Sequence, residues 1–176
     1  MTDKPRILIF TGDGKGKTTA AMGMVLRASS HGLRVKVVQF LKSDTGSGEI
    51  AALQSLPGVD FVRRGLGFVP KRRNDPQVAE HRRIAEEGLD LAREAILSGD
   101  YDLVVLDEIC GAIATGLLEE AAVIALLNQA PAELRLVLTG RHATSALMEL
   151  ADTVTEMRCI KHALQQGITA QKGVEF

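Results

Sequence analysis

Tryptophan is missing from this chain, and aromatic residues make up only 3% of it, so each of its five Phe becomes more informative than usual. Cysteine is nearly missing as well. Cys110 and Cys159 stand alone with no Cys-x-x-Cys pair, which reads as buried thiols in a reducing cytoplasm rather than a disulfide or a metal site. The four His are scattered without i, i+4 metal spacing. With no Gly-x-Ser-x-Gly elbow and no Cys/His constellation either, the sequence argues against a hydrolase triad and a zinc enzyme. Charge is balanced: 21 Lys and Arg against 22 Asp and Glu leave a formal net charge of -1. That gives no global push toward nucleic acid or an anionic membrane. No apolar run approaches a membrane span, and the segment before Ile7 is too short and polar for a signal peptide. There is no internal repeat, low-complexity tract or linker. The 176 residues, 45% hydrophobic and 24% charged, are ordinary for a soluble globular protein. They read as a single domain over 1–176, large enough to bury a core without staples.

What the chain does have is the stretch Ile7-Leu-Ile-Phe-Thr-Gly-Asp-Gly-Lys-Gly-Lys-Thr-Thr19. A short apolar run predicts a buried strand, a glycine-rich turn follows, and Lys17-Thr18 with small residues after it opens a helix. This is the context of a phosphate-binding loop. Glycines let successive backbone N–H groups turn inward on a polyphosphate, and the helix adds the positive end of its dipole. In that arrangement Gly12, Asp13, Gly14, Lys15, Gly16, Lys17, Thr18 and Thr19 form the nucleotide-binding segment. Lys17 bridges the outer phosphates and Thr18 ligates magnesium. The usual pattern has glycine four residues before the Gly-Lys pair. Thr11 stands there instead, with Gly12 and Gly14 available for the tight turn.

Along the rest of the chain, helical spacing predicts a helix from Thr18 to Ser30, with Arg27 in its later half, as a nucleotide contact or as a solvated surface residue. Arg34 to Phe40 reads as a two-sided strand, Lys42 to Gly48 as a polar loop, Glu49 to Leu56 as a short helix and Val59 to Val62 as a short strand. Arg63 to Pro76 is irregular and basic (Arg63, Arg64, Lys71, Arg72, Arg73). Asp75-Pro76 looks like an N-cap and first turn of a helix running to about Ser98-Gly99. Leu103 to Leu106 is a buried strand that delivers Asp107-Glu108, where one of these acids holds magnesium, directly or through water, or else both are exposed acids of a strand-end turn. Helices are expected at Glu119 to Asn128 and Ala143 to Leu150, and strands at Leu134 to Leu138 and Asp152 to Met157. Strands alternating with helices predict an α/β, mostly parallel sheet with its ligands at the strands' carboxyl ends. The loop after Phe10, Asp107-Glu108 and Thr139-Gly140-Arg141 all fall at such ends.

The chain resembles the phosphate-loop type of ATP:corrinoid adenosyltransferase nearly end to end. The similarity is carried by Thr11-Gly-Asp-Gly-Lys-Gly-Lys-Thr-Thr19, then Val38-Gln-Phe-Leu-Lys42, Gly48-Glu49, Gly67-Phe68, Leu106-Asp-Glu108, Thr139-Gly-Arg141 and Ala151-Asp-x-Val-Thr-Glu-Met157. The tail Lys161-His-Ala163, Gly167, Ala170, Gly173 and Glu175-Phe176 completes it. The resemblance implies a RecA-like P-loop NTPase fold whose central sheet has about six mostly parallel strands flanked by helices. It also implies a homodimer, and transfer of the 5′-deoxyadenosyl group of ATP to the cobalt(I) of a reduced corrinoid with release of triphosphate. Lys17 and Lys15 would stabilise the departing triphosphate, with Arg27 and Arg141 as further nucleotide contacts and magnesium on Thr18 and on Asp107 or Glu108. Phe68 would face the corrinoid and displace the lower axial ligand of cobalt(II). The competing reading of that residue is an anchor of its loop against the core.

Asp13 stands where the family often has Asn, Pro70 where an aromatic is common and Leu164 where Phe is common. An amino-terminal segment that covers the corrinoid in some relatives is not expected here. The basic run is either a solvated loop or a docking patch for an acidic, electron-donating flavoprotein. Rival readings are a P-loop ATPase or small-molecule kinase, with Glu108 orienting a water or a hydroxyl, and a non-catalytic nucleotide-binding regulatory module.

Overall fold

Runs of Val, Ile and Leu too short for helices and apolar at every position can be satisfied only as strands covered on both faces. The computed structural model, which describes residues 4–43, 48–70 and 75–174, bears this out. Strands β1 (Arg6–Thr11), β2 (Val35–Phe40), β3 (Val59–Arg64), β4 (Leu103–Asp107), β5 (Arg135–Thr139) and β6 (Thr153–Glu156) form one sheet in the order β3-β2-β4-β5-β1-β6. Every neighbouring pair is parallel. Helices α1 (Lys17–Ser30), α2 (Gly48–Gln54), α3 (Pro76–Leu97), α4 (Ile109–Ala114), α5 (Glu120–Leu127) and α6 (Ser145–Leu150) connect them.

The two-residue period of a strand assigns the core. Val104, Leu106, Leu136, Leu138 and Phe40 point to one face, where α3 (Ala85, Leu89, Ala92, Ile96) and α5 (Val123, Leu126, Leu127) cover them. Leu103, Val105, Val35, Val37 and Val137 point to the other, under α1 (Ala21, Met22, Val25, Ala28) and Leu53 of α2. The result is a three-layer α/β architecture. Gly88 lets α3 lie close on the sheet, since a Cβ there would sit 2.7 Å from a ring carbon of Phe40.

Most expected elements are present, with informative differences. The Asp75 side chain caps α3 by accepting from the Gln77 N–H at 2.9 Å, and Pro76 occupies the first turn. Strand β3 continues through Arg63 and Arg64, so these two belong to the sheet and not to the basic loop. Lys71, Arg72 and Arg73 lie outside the described residues, as do Glu175, Phe176 and positions 44–47 of the expected polar loop. The short helix α4, directly after Glu108, had no counterpart in the sequence reading.

Register brings the site together. Gln39 pairs with Asp107, Phe10 with Thr139 and Thr11 with Glu156, so the carboxyl ends of β1, β2, β4, β5 and β6 finish at a common level. In an open parallel sheet that edge is where ligands bind.

Candidate functional site

The loop between β1 and α1 is closed by glycines. Gly12 (φ 93°) and Gly16 (φ 114°) adopt left-handed backbone, and the chain turns from Thr11 into the first residue of α1, Lys17, without needing glycine at position 11. The loop is held from outside by the strand that ends the sheet. The Gly14 N–H donates to the Met157 carbonyl at 2.6 Å, and the Met157 N–H donates to Thr11 O at 2.8 Å. A Cβ on Gly12 or Gly14 would lie 2.5 Å or 2.7 Å from the Met157 oxygen.

Lys17 is buried at 7% exposure and folded into this loop, with Nζ donating to Gly12 O and Gly14 O, each at 2.7 Å. Burial pulls its pKa below the ordinary lysine value; Glu108, Asp13 and Asp107 oppose that, and Arg141 adds to it. Lys15 and Thr19 are exposed. Lys15 lines a cleft of about 380 Å³ together with Arg158, Cys159, Lys161 and His162. Asp13 and Arg141 form an exposed ion pair at 3.9 Å over the loop.

Beside the loop lies a buried polar network centred on Asp107, which is fully enclosed. Its Oδ1 accepts from Thr18 Oγ1 at 2.9 Å and from Thr139 Oγ1 at 2.7 Å. Its Oδ2 accepts from Gln39 Nε2 at 2.7 Å and lies 3.6 Å from the Lys42 ammonium. Lys42 Nζ also donates to Thr18 Oγ1 at 3.1 Å. Gln39 Oε1 in turn accepts from Arg63 Nε at 2.7 Å. Glu108 follows in left-handed backbone (φ 65°), and its N–H donates to Thr139 Oγ1 at 2.9 Å. Burial and the neighbouring Asp107 push the Glu108 carboxyl above the ordinary range, against Lys42, Lys17 and Arg141. Among the described residues no three His, Cys, Asp or Glu side chains converge as a metal cage. Thr18 and Asp107 nonetheless present hard oxygens to the Lys42 cation, the donor type that suits magnesium when substrate phosphates complete the shell.

Thus the loop, Lys17, Thr18, Asp107, Glu108 and Arg141 assemble at one edge. Arg27 does not join them within the chain: it is exposed in the last turn of α1, roughly 15 Å along the axis at 1.5 Å per residue. Phe68 is fully exposed at 103%, which removes the reading of it as a core anchor. Its loop is tied to the end of β2, where the Gly67 N–H donates to Leu41 O at 2.7 Å.

Gln39, Lys42 and Met157 carry no expected site role, and Thr139 is expected only at the ligand edge of the sheet. The signal for Gln39 was available: a polar residue inside an apolar two-sided strand must find a buried partner.

The family model described as ATP:corrinoid adenosyltransferase BtuR/CobO/CobP matches residues 3–176. The chain is 42% identical over 172 residues to the corrinoid adenosyltransferase of Pseudomonas aeruginosa, covering 97% of this chain and 83% of that protein. To the corrinoid adenosyltransferase of Escherichia coli it is 37% identical over 171 residues, covering 97% and 85%. To the corrinoid adenosyltransferase CobA of Salmonella typhimurium it is 38% identical over 171 residues, with the same coverage.

Proposed function

The chain belongs to the ATP:corrinoid adenosyltransferase family, and from that premise we propose how its residues carry the reaction. The protein is a transferase that uses ATP to adenosylate a corrinoid in cobalamin biosynthesis. In our reading the cobalt(I) electron pair forms the bond to C5′, the C5′–O5′ bond breaks, and its electron pair leaves on triphosphate. Cobalt ends as cobalt(III). Cobalt(I) is itself the nucleophile and needs no general base, so the protein's work is alignment and charge stabilisation.

The observation that carries the assignment of roles is Lys17 bound to the loop's own carbonyls at 2.7 Å beside the Thr18–Asp107 contact. A phosphate arriving in this loop gives the ammonium a stronger, charge-assisted acceptor than two neutral carbonyls. Lys17 and Lys15 then face the triphosphate, with loop N–H groups other than that of Gly14, which Met157 O holds, around it and Arg141 over the loop. Thr18 and Asp107 would hold magnesium, with Glu108 next to them, and the chemistry it would supply there is neutralisation of phosphate charge.

The remaining roles rest on separate observations. A phosphate loop after the first strand of an all-parallel six-stranded sheet supports the RecA-like P-loop reading. Full exposure of Phe68 supports a corrinoid-facing aromatic. Exposed Ile160, Leu164, Ile168 and Val174 along the tail beside edge strand β6 support a homodimer. A flavoprotein donor docking on basic residues would rely on Lys71, Arg72 and Arg73, because Arg63 and Arg64 are engaged with Gln39 and Glu87. Two free thiols, Cys110 buried and Cys159 exposed where both are expected buried, support a cytoplasmic setting. Among the described residues no helix is long and apolar enough to cross a membrane.

Product analysis tests the reading. Triphosphate is expected in step with adenosylated corrinoid, and only when reduced corrinoid is present. ADP and phosphate formed without corrinoid would move the protein to the ATPase or kinase class. Nucleotide binding with no product under reducing conditions would make it a regulatory module.

A further inference from the structure

Lys42 has no assigned role, yet its charge sits at the centre of the site. The ammonium lies 3.1 Å from Thr18 Oγ1 and 3.6 Å from Asp107 Oδ2, the two side chains to which magnesium is ascribed above. A cation therefore already stands between the oxygens meant for one. Of these partners Lys42 is the one able to move. Its side chain is 36% exposed on a flexible four-carbon stem, whereas Asp107 is fully enclosed and fixed by Thr139 and Gln39. The backbone aims it there: Leu41 is left-handed (φ 64°), and the Lys42 N–H closes a tight turn onto Phe40 O at 2.7 Å. The strand thus reverses at its end and directs the side chain back across β4 and the start of α1.

Magnesium and an ammonium cannot share this space, because two cations at such distances repel strongly even in a fairly polar protein interior. The ammonium must then find another anion, and the triphosphate arrives with the metal. We propose that Lys42 is a further catalytic residue with two stations. Between Thr18 and Asp107 it stands where the cation would, and with metal and ATP bound it turns onto the triphosphate. There it meets the charge that the breaking C5′–O5′ bond delivers, and no proton moves. This rests on the reading that metal and triphosphate meet at Thr18 and Asp107.

The test compares wild type, Lys42→Ala, Lys42→Met and Asp107→Asn. Manganese(II) binding to nucleotide-free protein is followed by electron spin resonance, and ATP binding with magnesium by calorimetry. Removing the lysine is expected to tighten manganese(II) about tenfold without nucleotide and to weaken ATP about tenfold, the worth of one charge-assisted contact. A lysine that only supports the fold would move both affinities in one direction. Lys42→Met keeps the stem's packing and is expected to match Lys42→Ala in both signs, with thermal melting reporting that each variant is folded. Unchanged or weaker manganese(II) binding in folded Lys42 variants, or unchanged ATP affinity, overturns the inference while Asp107→Asn still abolishes metal binding. If Asp107→Asn leaves manganese(II) binding intact, the metal reading and this inference fall together.

Discussion

Gln39→Leu removes the hinge of the buried polar network and replaces it with a side chain of similar size. Gln39 is 1% exposed and joins two charged partners: Nε2 donates to Asp107 Oδ2 and Oε1 accepts from Arg63 Nε, both at 2.7 Å. Hydrogen bonds to charged groups contribute ~1.5–3 kcal/mol each, so the two together are worth on the order of 3–6 kcal/mol. Burying leucine in the same space returns ~1.5–3 kcal/mol. The net loss is about 1.5–3 kcal/mol, which for a chain of this length lowers Tm by roughly 3–12 °C at ~2–4 °C per kcal/mol. Urea unfolding of wild type, Gln39→Leu, Arg63→Met and the double variant isolates the bridge. The two single losses should overlap in the double variant by ~1 kcal/mol or more. Asp107 also loses a bond that orients it, so half-maximal turnover should need more magnesium. A loss below about 1 kcal/mol for Gln39→Leu, additive with Arg63→Met and without a change in metal requirement, would refute the network as drawn.

Three further outcomes are expected. Because Glu108 holds its proton to higher pH in the folded chain than in the unfolded one, folding stability falls as pH rises from the ordinary glutamate range through the raised value. Urea titrations across that window should show this slope in wild type and not in Glu108→Gln; equal slopes would reject the burial argument. Phe68→Ala should leave stability within about 0.5 kcal/mol, since the ring touches mostly solvent. It should slow turnover from cobalt(II) corrinoid with a mild reductant while sparing turnover from pre-formed cobalt(I), and an equal drop with both would assign the ring to binding instead. Gly14→Ala should lose ~1–3 kcal/mol and most nucleotide affinity, because its Cβ would meet Met157 O at 2.7 Å and the Arg158 carbonyl carbon at 2.8 Å. Gly23→Ala, mid-helix and with nothing beyond its own helix backbone and chain neighbours within 4 Å of the new Cβ, is the control and should gain ~0.5–1 kcal/mol.

Much of this was legible in the sequence where local pattern and tertiary role coincide. The apolar run of β1, the glycines after it and the Lys17-Thr18 helix start are contiguous, and the carboxylate at the end of β4 is announced by four apolar residues. The Asp75-Pro76 start of α3 follows from two adjacent residues with known cap chemistry. What stayed hidden depends on register between distant strands. Nothing local says that Gln39 faces Asp107 or that Thr139 bridges Asp107 and Glu108, because those contacts exist only once β4 lies between β2 and β5. Arg63 and Arg64 looked like loop residues since charge usually marks solvent, and the pairing of β3 with β2 carried them into the sheet. Helix α4 escaped because six residues are too few to display a helical period.

The turn at Leu41 has a thermodynamic consequence. Its carbonyl holds the Gly67 N–H of the Phe68 loop, a Cβ on Gly65 would meet its backbone at 2.3 Å, and the next residue, Lys42, reaches Thr18 and Asp107. A corrinoid that shifted the Phe68 loop would act on Leu41 through that bond, and a nucleotide that relocated Lys42, as proposed above, would act on the same residue from the other side. Linkage then requires symmetry: whatever factor ATP applies to corrinoid affinity, corrinoid applies to ATP affinity. The two substrates are chemically unrelated, yet on these proposed roles one hydrogen bond and one residue of main chain would let each sense the other before any cobalt–carbon bond exists.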